Sequence, residues 1–137
     1  MMSIVIGHNS KNYSGVMAKI DSTTLGQEDH GIWTAMLACS WESGGISVGG
    51  YALDNPVKDE NEHVHRFGSA FGMDQVIAIC ETVGVSAWEK LKGASVIVLF
   101  PENDTWGSRA VGIAGVHNSK TLIFADHCDS WKARAGA

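Results

Sequence analysis

The chain has 137 residues, enough for one hydrophobic core and too few for two. Apolar residues make up 45% and charged residues 18%, which excludes a disordered polymer. Fifteen acids against ten bases, a formal charge of -5, exclude a general attraction to phosphate backbones or anionic membranes.

The opening Met1-Met2-Ser3-Ile4-Val5-Ile6-Gly7-His8 has no basic region and no long apolar run, so no secretory signal is read there. No window has the composition of a membrane span. Cys39, Cys80 and Cys128 are odd in number and lack CxxC spacing, which suits reduced thiols and a cytoplasmic setting. Residues 1–13 show no periodicity and are expected as a flexible leader to a single β-rich domain over residues 14–137.

Val16, Ala18 and Ile20 alternate with Met17 and Lys19 and predict a first strand, ended by a turn from Asp21 through Gly26 and on to Gly31. From Ile32 to Trp41 every odd position from Trp33 is apolar, the period of a strand, which places Trp33 and Trp41 in the core. Ile46 to Leu53 predicts a third strand with a bulge at Gly49-Gly50. Asp54 to Arg66 is polar, acidic and contains Pro56, so it is expected as a long surface loop.

Met73, Val76, Ile77, Cys80 and Val83 recur at the spacing of one helical face, and Gly84 followed by Val85 suits a helix C-terminus. Ser86-Ala87-Trp88-Glu89 has the pattern of a capping box before a short turn of helix. Val96 to Phe100, apolar throughout, predicts a strand covered on both faces. Shorter alternating runs at residues 109–116 and 121–125 complete the sheet.

The expected fold class is thus α+β, mainly β with one central helix, in the order β-β-β-α-β-β(-β). That order is shared by small rolls and by the OB-like barrel, whose exposed face binds oligonucleotides or other ligands.

Ile20 to Ile32 (with Gly26-Gln27-Glu28-Asp29-His30-Gly31-Ile32), Gly49-Gly50-Tyr51-Ala52-Leu53-Asp54, Gly68-Ser69-Ala70-Phe71-Gly72-Met73 and Val83-Gly84-Val85-Ser86-Ala87-Trp88-Glu89-Lys90-Leu91-Lys92-Gly93 together resemble a family of small phage and prophage proteins without an assigned activity. The resemblance covers about residues 16–100 and implies a phage accessory protein made in the host cytoplasm. A looser likeness, in element order and in Leu91-x-Gly93 before an apolar strand, is to small phage single-stranded-DNA-binding proteins. Those commonly finish in an acidic tail, whereas Trp131-Lys132-Ala133-Arg134 is basic.

Several constellations could carry chemistry. Glu28-Asp29-His30 gathers two carboxylates and an imidazole, for a ligand contact, a metal or acid-base work, although acids before a glycine turn usually bond local amides. His63 and His65 would share a face on an extended segment, the beginnings of a zinc site that needs further partners such as His117, His127, Cys128 or Asp129. Trp106 followed by Arg109, Tyr51, Arg66 with Phe67, and Trp131 with Lys132 and Arg134 pair rings with cations, the way bases or nucleotide rings are gripped.

The favoured reading is a non-catalytic protein, with no cofactor and no resident metal, that binds a nucleotide-like ligand or single-stranded nucleic acid in host takeover or counter-defence. The ligand contacts are expected at Trp106, Arg109, Tyr51, Arg66, Phe67, Glu28, Asp29 and His30. The alternatives are an inhibitor of a host protein through a direct interface, and a metal-dependent hydrolase using the histidines. A homo-oligomer is compatible with any of these.

Overall fold

A computed structural model describes residues 3–102 and 109–135. Among these, nine strands and two helices follow one another: β1 (Ser3–His8), β2 (Lys11–Asp29), β3 (Ile32–Trp41), β4 (Gly44–Ala52), β5 (Asp54–Lys58), β6 (Val64–Gly68), α1 (Ala70–Val83), β7 (Ser95–Pro101), β8 (Gly112–Ala114), β9 (Thr121–Ile123) and α2 (Phe124–Ala135). The protein is α+β and mainly β, with a central helix, as the sequence predicts. No helix among the described residues is long and apolar enough to cross a membrane.

The main sheet is antiparallel and open, in the order β4-β3-β2-β7-β8-β9, so the strands do not close into the expected barrel. Its organiser is β2, a 19-residue strand. Residues 13–19 of β2 pair with β7, while the opposite edge pairs first with β1 and then with β3. Two expectations give way here. Ser3–His8, read as part of a leader, form β1 in register with residues 11–16. The polar run after Ile20, read as a turn, continues as strand with register shifts at Ile20/Ser22 and Gln27/Asp29. Beyond Ile20, which still bonds Gly93 and Ala94, this half of β2 has a strand partner only in β3, so polar side chains are tolerated there. The chain turns instead at His30 and Gly31, both with positive φ.

The larger core lies on one face of the sheet, where Val16, Ala18, Ile20, Leu37, Val48, Val96, Val98 and Phe100 meet Ile79 of α1 and Phe124. Tyr13, Ile97, Leu99, Ala114 and Ile123 form a smaller cluster on the other face, with Ile4 and Ile6 of β1 against it. Strand β7 feeds both clusters, which is why Val96 to Phe100 are apolar without alternation. Trp41 joins the core edge-on to Phe100, but Trp33, expected inside, is 44% exposed.

The expected loop over residues 54–66 is instead a two-stranded arm, β5 against β6, paired with no other strand among the described residues. Its base is fixed by an ion pair whose carboxylate is buried and whose guanidinium is partly exposed. Arg66 donates to both carboxylate oxygens of Asp54 at 2.8 and 2.9 Å, and the backbone N–H of Trp33 donates to the same carboxylate. That bidentate bond holds Asp54 below the usual carboxylate range.

Helix α1 begins at an N-cap, Ser69, whose hydroxyl accepts from the Gly72 N–H, and ends at Gly84 in the left-handed conformation, as its sequence predicts. Its buried face differs from the apolar stripe. Gly72, Gln75, Ile79 and Thr82 face inward, and Met73 and Ile77 are exposed. Close approach decides the rotation: any Cβ at residue 72 would overlap the Leu53 carbonyl, which Ser69 also bonds through its N–H and hydroxyl. After α1, the expected capping box does not form. Ala87 precedes a 3-10 turn over Trp88–Lys90, and the Ser86 hydroxyl accepts from Lys90 Nζ instead of a backbone amide.

Gly72→Ala is therefore expected to destabilise the protein by about 1–3 kcal/mol through overpacking against Leu53. Urea unfolding measures it. A midpoint equal to wild type would mean that α1 moves freely off that carbonyl.

Candidate functional site, an aromatic and basic groove

A groove of about 800 Å³ lies between the end of β4, the base of the arm, the start of α1 and one face of α2. Its walls include Tyr51, Asn55, Phe71, Cys128, Trp131, Lys132 and Arg134. Each element arrives there for a local reason.

Helix α2 is anchored at its start by Phe124, buried in the core with its N–H bonded to the Val111 carbonyl. From there His127 and Trp131, one turn apart, project onto α1. The Oδ2 atom of Asp74 accepts from Trp131 Nε1 and pairs with His127 Nε2, both at 2.9 Å. The other ring nitrogen of His127 lies 3.3 Å from Gln75 Oε1, and Phe71 packs on the ring at 5.3 Å. Both imidazole nitrogens are thus engaged, so His127 is a tie between helices and has no nitrogen turned to the groove for a substrate or a metal. Bonding to His127 first, and to Trp131 next, holds the Asp74 carboxyl below its ordinary value.

Within the groove Tyr51 lies stacked on Phe124, with ring centres 6.0 Å apart. Burial is the main reason its phenol is raised above 10.0, with Cys128, Asp129 and Asp126 pushing the same way and Arg109 opposing. It stays protonated near neutrality and can donate a hydrogen bond. On the far wall the Arg134 guanidinium sits over the Trp131 ring at 4.8 Å, a cation–π contact that pre-orients its donors.

Tyr51 is also the shared wall of a smaller cavity of about 370 Å³, lined by Gly49, Gly50, Arg109, Val111 and Phe124. The positive φ of Gly49 and Gly50, 111° and 96°, makes the bulge expected at this point, where the register of β3 and β4 shifts. Tyr51 and Arg109, expected as separate ligand contacts, share this cavity, and Tyr51 also lines the groove with the expected Trp131, Lys132 and Arg134 set.

The other expected contacts lie elsewhere. Arg66 is committed to Asp54, and Phe67, 57% exposed, points from the arm beside His65. His30 stands at the β2–β3 turn, which does not line the groove. Trp106 lies outside the described residues, as do the side chains of Glu28 and Asp29. His63 and His65 meet neither His127 nor Cys128. They flank Asp59, whose Oδ2 is 2.9 Å from His65 Nε2 and 3.8 Å from His63 Nδ1. Among the described residues no three His, Cys, Asp or Glu side chains are arranged to hold a metal ion.

Phe71, Asp74, Gln75 and His127 were not singled out by the sequence reading as parts of one site. The signal was present in part: His127, Trp131 and Arg134 are spaced four and three apart, one face of a helix. The alternating run expected over residues 121–125 gives β9 only as far as Ile123, and α2 is an addition to the expected fold.

Two outcomes test this geometry. The depressed Asp74 carboxyl contributes stability that is fully present above its unfolded value near 3.8 and lost as pH falls through the lower folded value. An acid titration of tryptophan fluorescence should show α2 loosening in that window, and Asp74→Asn should shrink the step while costing about 1 kcal/mol at neutral pH after solvent screening. An identical acid transition in the variant would sink the assignment. Separately, burial and the neighbouring Asp21 push the Cys39 thiol up to about 12, while Cys128 lines the open groove. A thiol reagent should therefore label Cys128 in the native protein and reach Cys39 only after unfolding, as peptide mapping would resolve.

No protein-family model, no curated protein and no solved structure matches the chain, so the functional reading rests on this groove.

Proposed function

We propose that the protein is a non-catalytic accessory protein of a bacteriophage, acting in the host cytoplasm in host takeover or counter-defence. In this reading it binds a nucleotide-like ligand or a short stretch of single-stranded nucleic acid in the groove between β4 and α2. The observation that carries the reading is the convergence of Tyr51, Phe71 and Trp131 with Lys132 and Arg134 around one cavity. A flat apolar wall with cations at its rim suits a planar ring bearing an anionic group. The ring gains stacking and the anion meets the guanidinium. The volume of about 800 Å³ falls within the usual range of small-molecule sites. Arg109, across Tyr51 in the adjoining cavity, offers a second anion contact.

A second reading, obstruction of a host protein through a direct interface, is favoured by a different surface. Leu25, Trp33 and Met73 are each more than 40% exposed and line a shallow cavity of about 410 Å³ beside the Asp54–Arg66 pair. Apolar exposure of this kind marks interaction sites.

Nucleotides and short oligonucleotides titrated against intrinsic fluorescence should quench Trp131. Arg134→Ala should weaken binding about tenfold or more, whereas Trp131→Phe, which keeps a ring, should weaken it less than Trp131→Ala. With Lys132 and Arg134 at the rim and Arg109 in the adjoining cavity, the slope of log affinity against log salt for a short single strand should be near −2, at about −0.7 per phosphate contact. Full affinity in Arg134→Ala would remove the groove as the site, and a quench confined to Trp33→Phe-sensitive fluorescence would move attention to the second surface.

A further inference from the structure

Among the described residues the arm formed by β5 and β6 pairs with no third strand, and a lone two-stranded ribbon is marginally stable in water. It is nevertheless built to hold its shape. At its base are the Asp54–Arg66 bonds, and at its tip the Asp59 carboxylate accepts from the N–H groups of Asn61 and His63 at 2.8 and 2.9 Å.

Both of its faces are apolar in part. Alternation along the pairing puts Asn55, Val57, His65 and Phe67 on one face and Pro56, Val64 and Arg66 on the other. Val57, Val64 and Phe67 are 48%, 56% and 57% exposed. The Val57–Phe67 face is continuous with the groove, because Asn55 on that face lines the groove together with Phe71 and Trp131.

Charge then selects the occupant. The tip carries Asp59, Glu60 and Glu62 against Lys58, which pairs with Glu62 at 3.3 Å, and the groove rim carries Lys132 and Arg134. At ~3.3 Å per residue the tip lies roughly 13 Å along the arm from Asn55, which lines the groove. One chain therefore displays a net acidic, partly apolar arm and a basic, partly apolar groove. We propose that the partner is a second copy of this chain. A two-fold axis lays each arm along the other copy's groove, so that one operation covers both apolar faces and pairs both sets of charges. The arms then form a side wall over the groove on each copy.

Sedimentation velocity of the full chain tests this, at concentrations up to about 100 µM, where specific interfaces of standard size are populated. The expected result is a dimer that weakens between about 50 and 500 mM NaCl. Glu60→Lys with Glu62→Lys, both on exposed positions outside the groove, should raise the dissociation constant roughly tenfold, and adding Lys132→Glu with Arg134→Glu in the same chain should restore it. Phe67→Ser should weaken the dimer with little salt dependence. A monomeric wild-type chain at every concentration would overturn the proposal, and so would a dimer indifferent to the arm variants. Ligand titration of the arm variants, which leave the groove intact, keeps this outcome separate from that of the ligand-binding reading.

Discussion

One carboxylate oxygen decides where α2 lies. Asp74 Oδ2 takes bonds from His127 Nε2 and Trp131 Nε1, and these side chains are one turn apart on α2, so the two bonds fix both its position and its rotation on α1. With that rotation set, Cys128, Lys132 and Arg134 fall on the side of α2 that faces Tyr51 and Phe71. Without it, α2 would be attached to the body mainly through Phe124 and its connection to β9, and the groove would lack its outer wall. Asp74 in turn is placed by the rotation of α1, which Gly72 sets by packing against the Leu53 carbonyl. The same carbonyl stands at the junction of β4 and the arm. Groove, arm and helix pair therefore share one geometric origin at Leu53–Asp54, where backbone close approach and the Asp54–Arg66 ion pair sit side by side.

The strands that bury a face were legible in the amino-acid order. Ile32 to Trp41 alternates because β3 covers the core with Ala35, Leu37 and Cys39, and β7 is uniformly apolar because both of its faces are covered. What escaped reading is structure that does not depend on a simple apolar period. The second half of β2 and the whole arm are held by backbone pairing and by Asp54–Arg66, so their sequences are polar and resemble turns and loops. Helix α1 misleads in the opposite way. Its apolar positions describe a stripe containing Met73 and Ile77, yet the helix turns Gly72, Gln75 and Thr82 inward. Tertiary constraints outweigh the period: Gly72 admits the closest backbone approach, Thr82 satisfies its hydroxyl on the Ala78 carbonyl, and Gln75 is covered by His127.

The candidate site was legible as parts and not as a whole. Tyr51, Arg109 and the Trp131–Arg134 pair are visible in the sequence as separate candidates, and the fold brings them to two cavities that share Tyr51. Arg66 and Phe67 form such a pair by adjacency alone. On a strand, neighbours point to opposite faces, so Arg66 turns to Asp54 while Phe67 turns outward. The Trp131–Arg134 pair survives because residues three apart on a helix share a face. Secondary structure, more than proximity in sequence, decides which pairings are real.

Electrostatics limits what the groove can hold under the proposed reading. The chain is acidic overall, and Asp126 and Asp129 lie on the same helix as the cationic rim, near enough to Tyr51 to raise its phenol. A long polyanion would feel that field along its whole length while meeting few cations, whereas a compact ligand feels the local rim and gains its binding from desolvated ring stacking. The half-buried aromatic wall and the small number of fixed cations thus favour a nucleotide or a few bases over an extended strand. The acidic arm sharpens the same discrimination: with an arm from a second copy beside the groove, a strand leaving the site would run past Asp59, Glu60 and Glu62 and be repelled by them. A ligand short enough to end within the groove would avoid that cost.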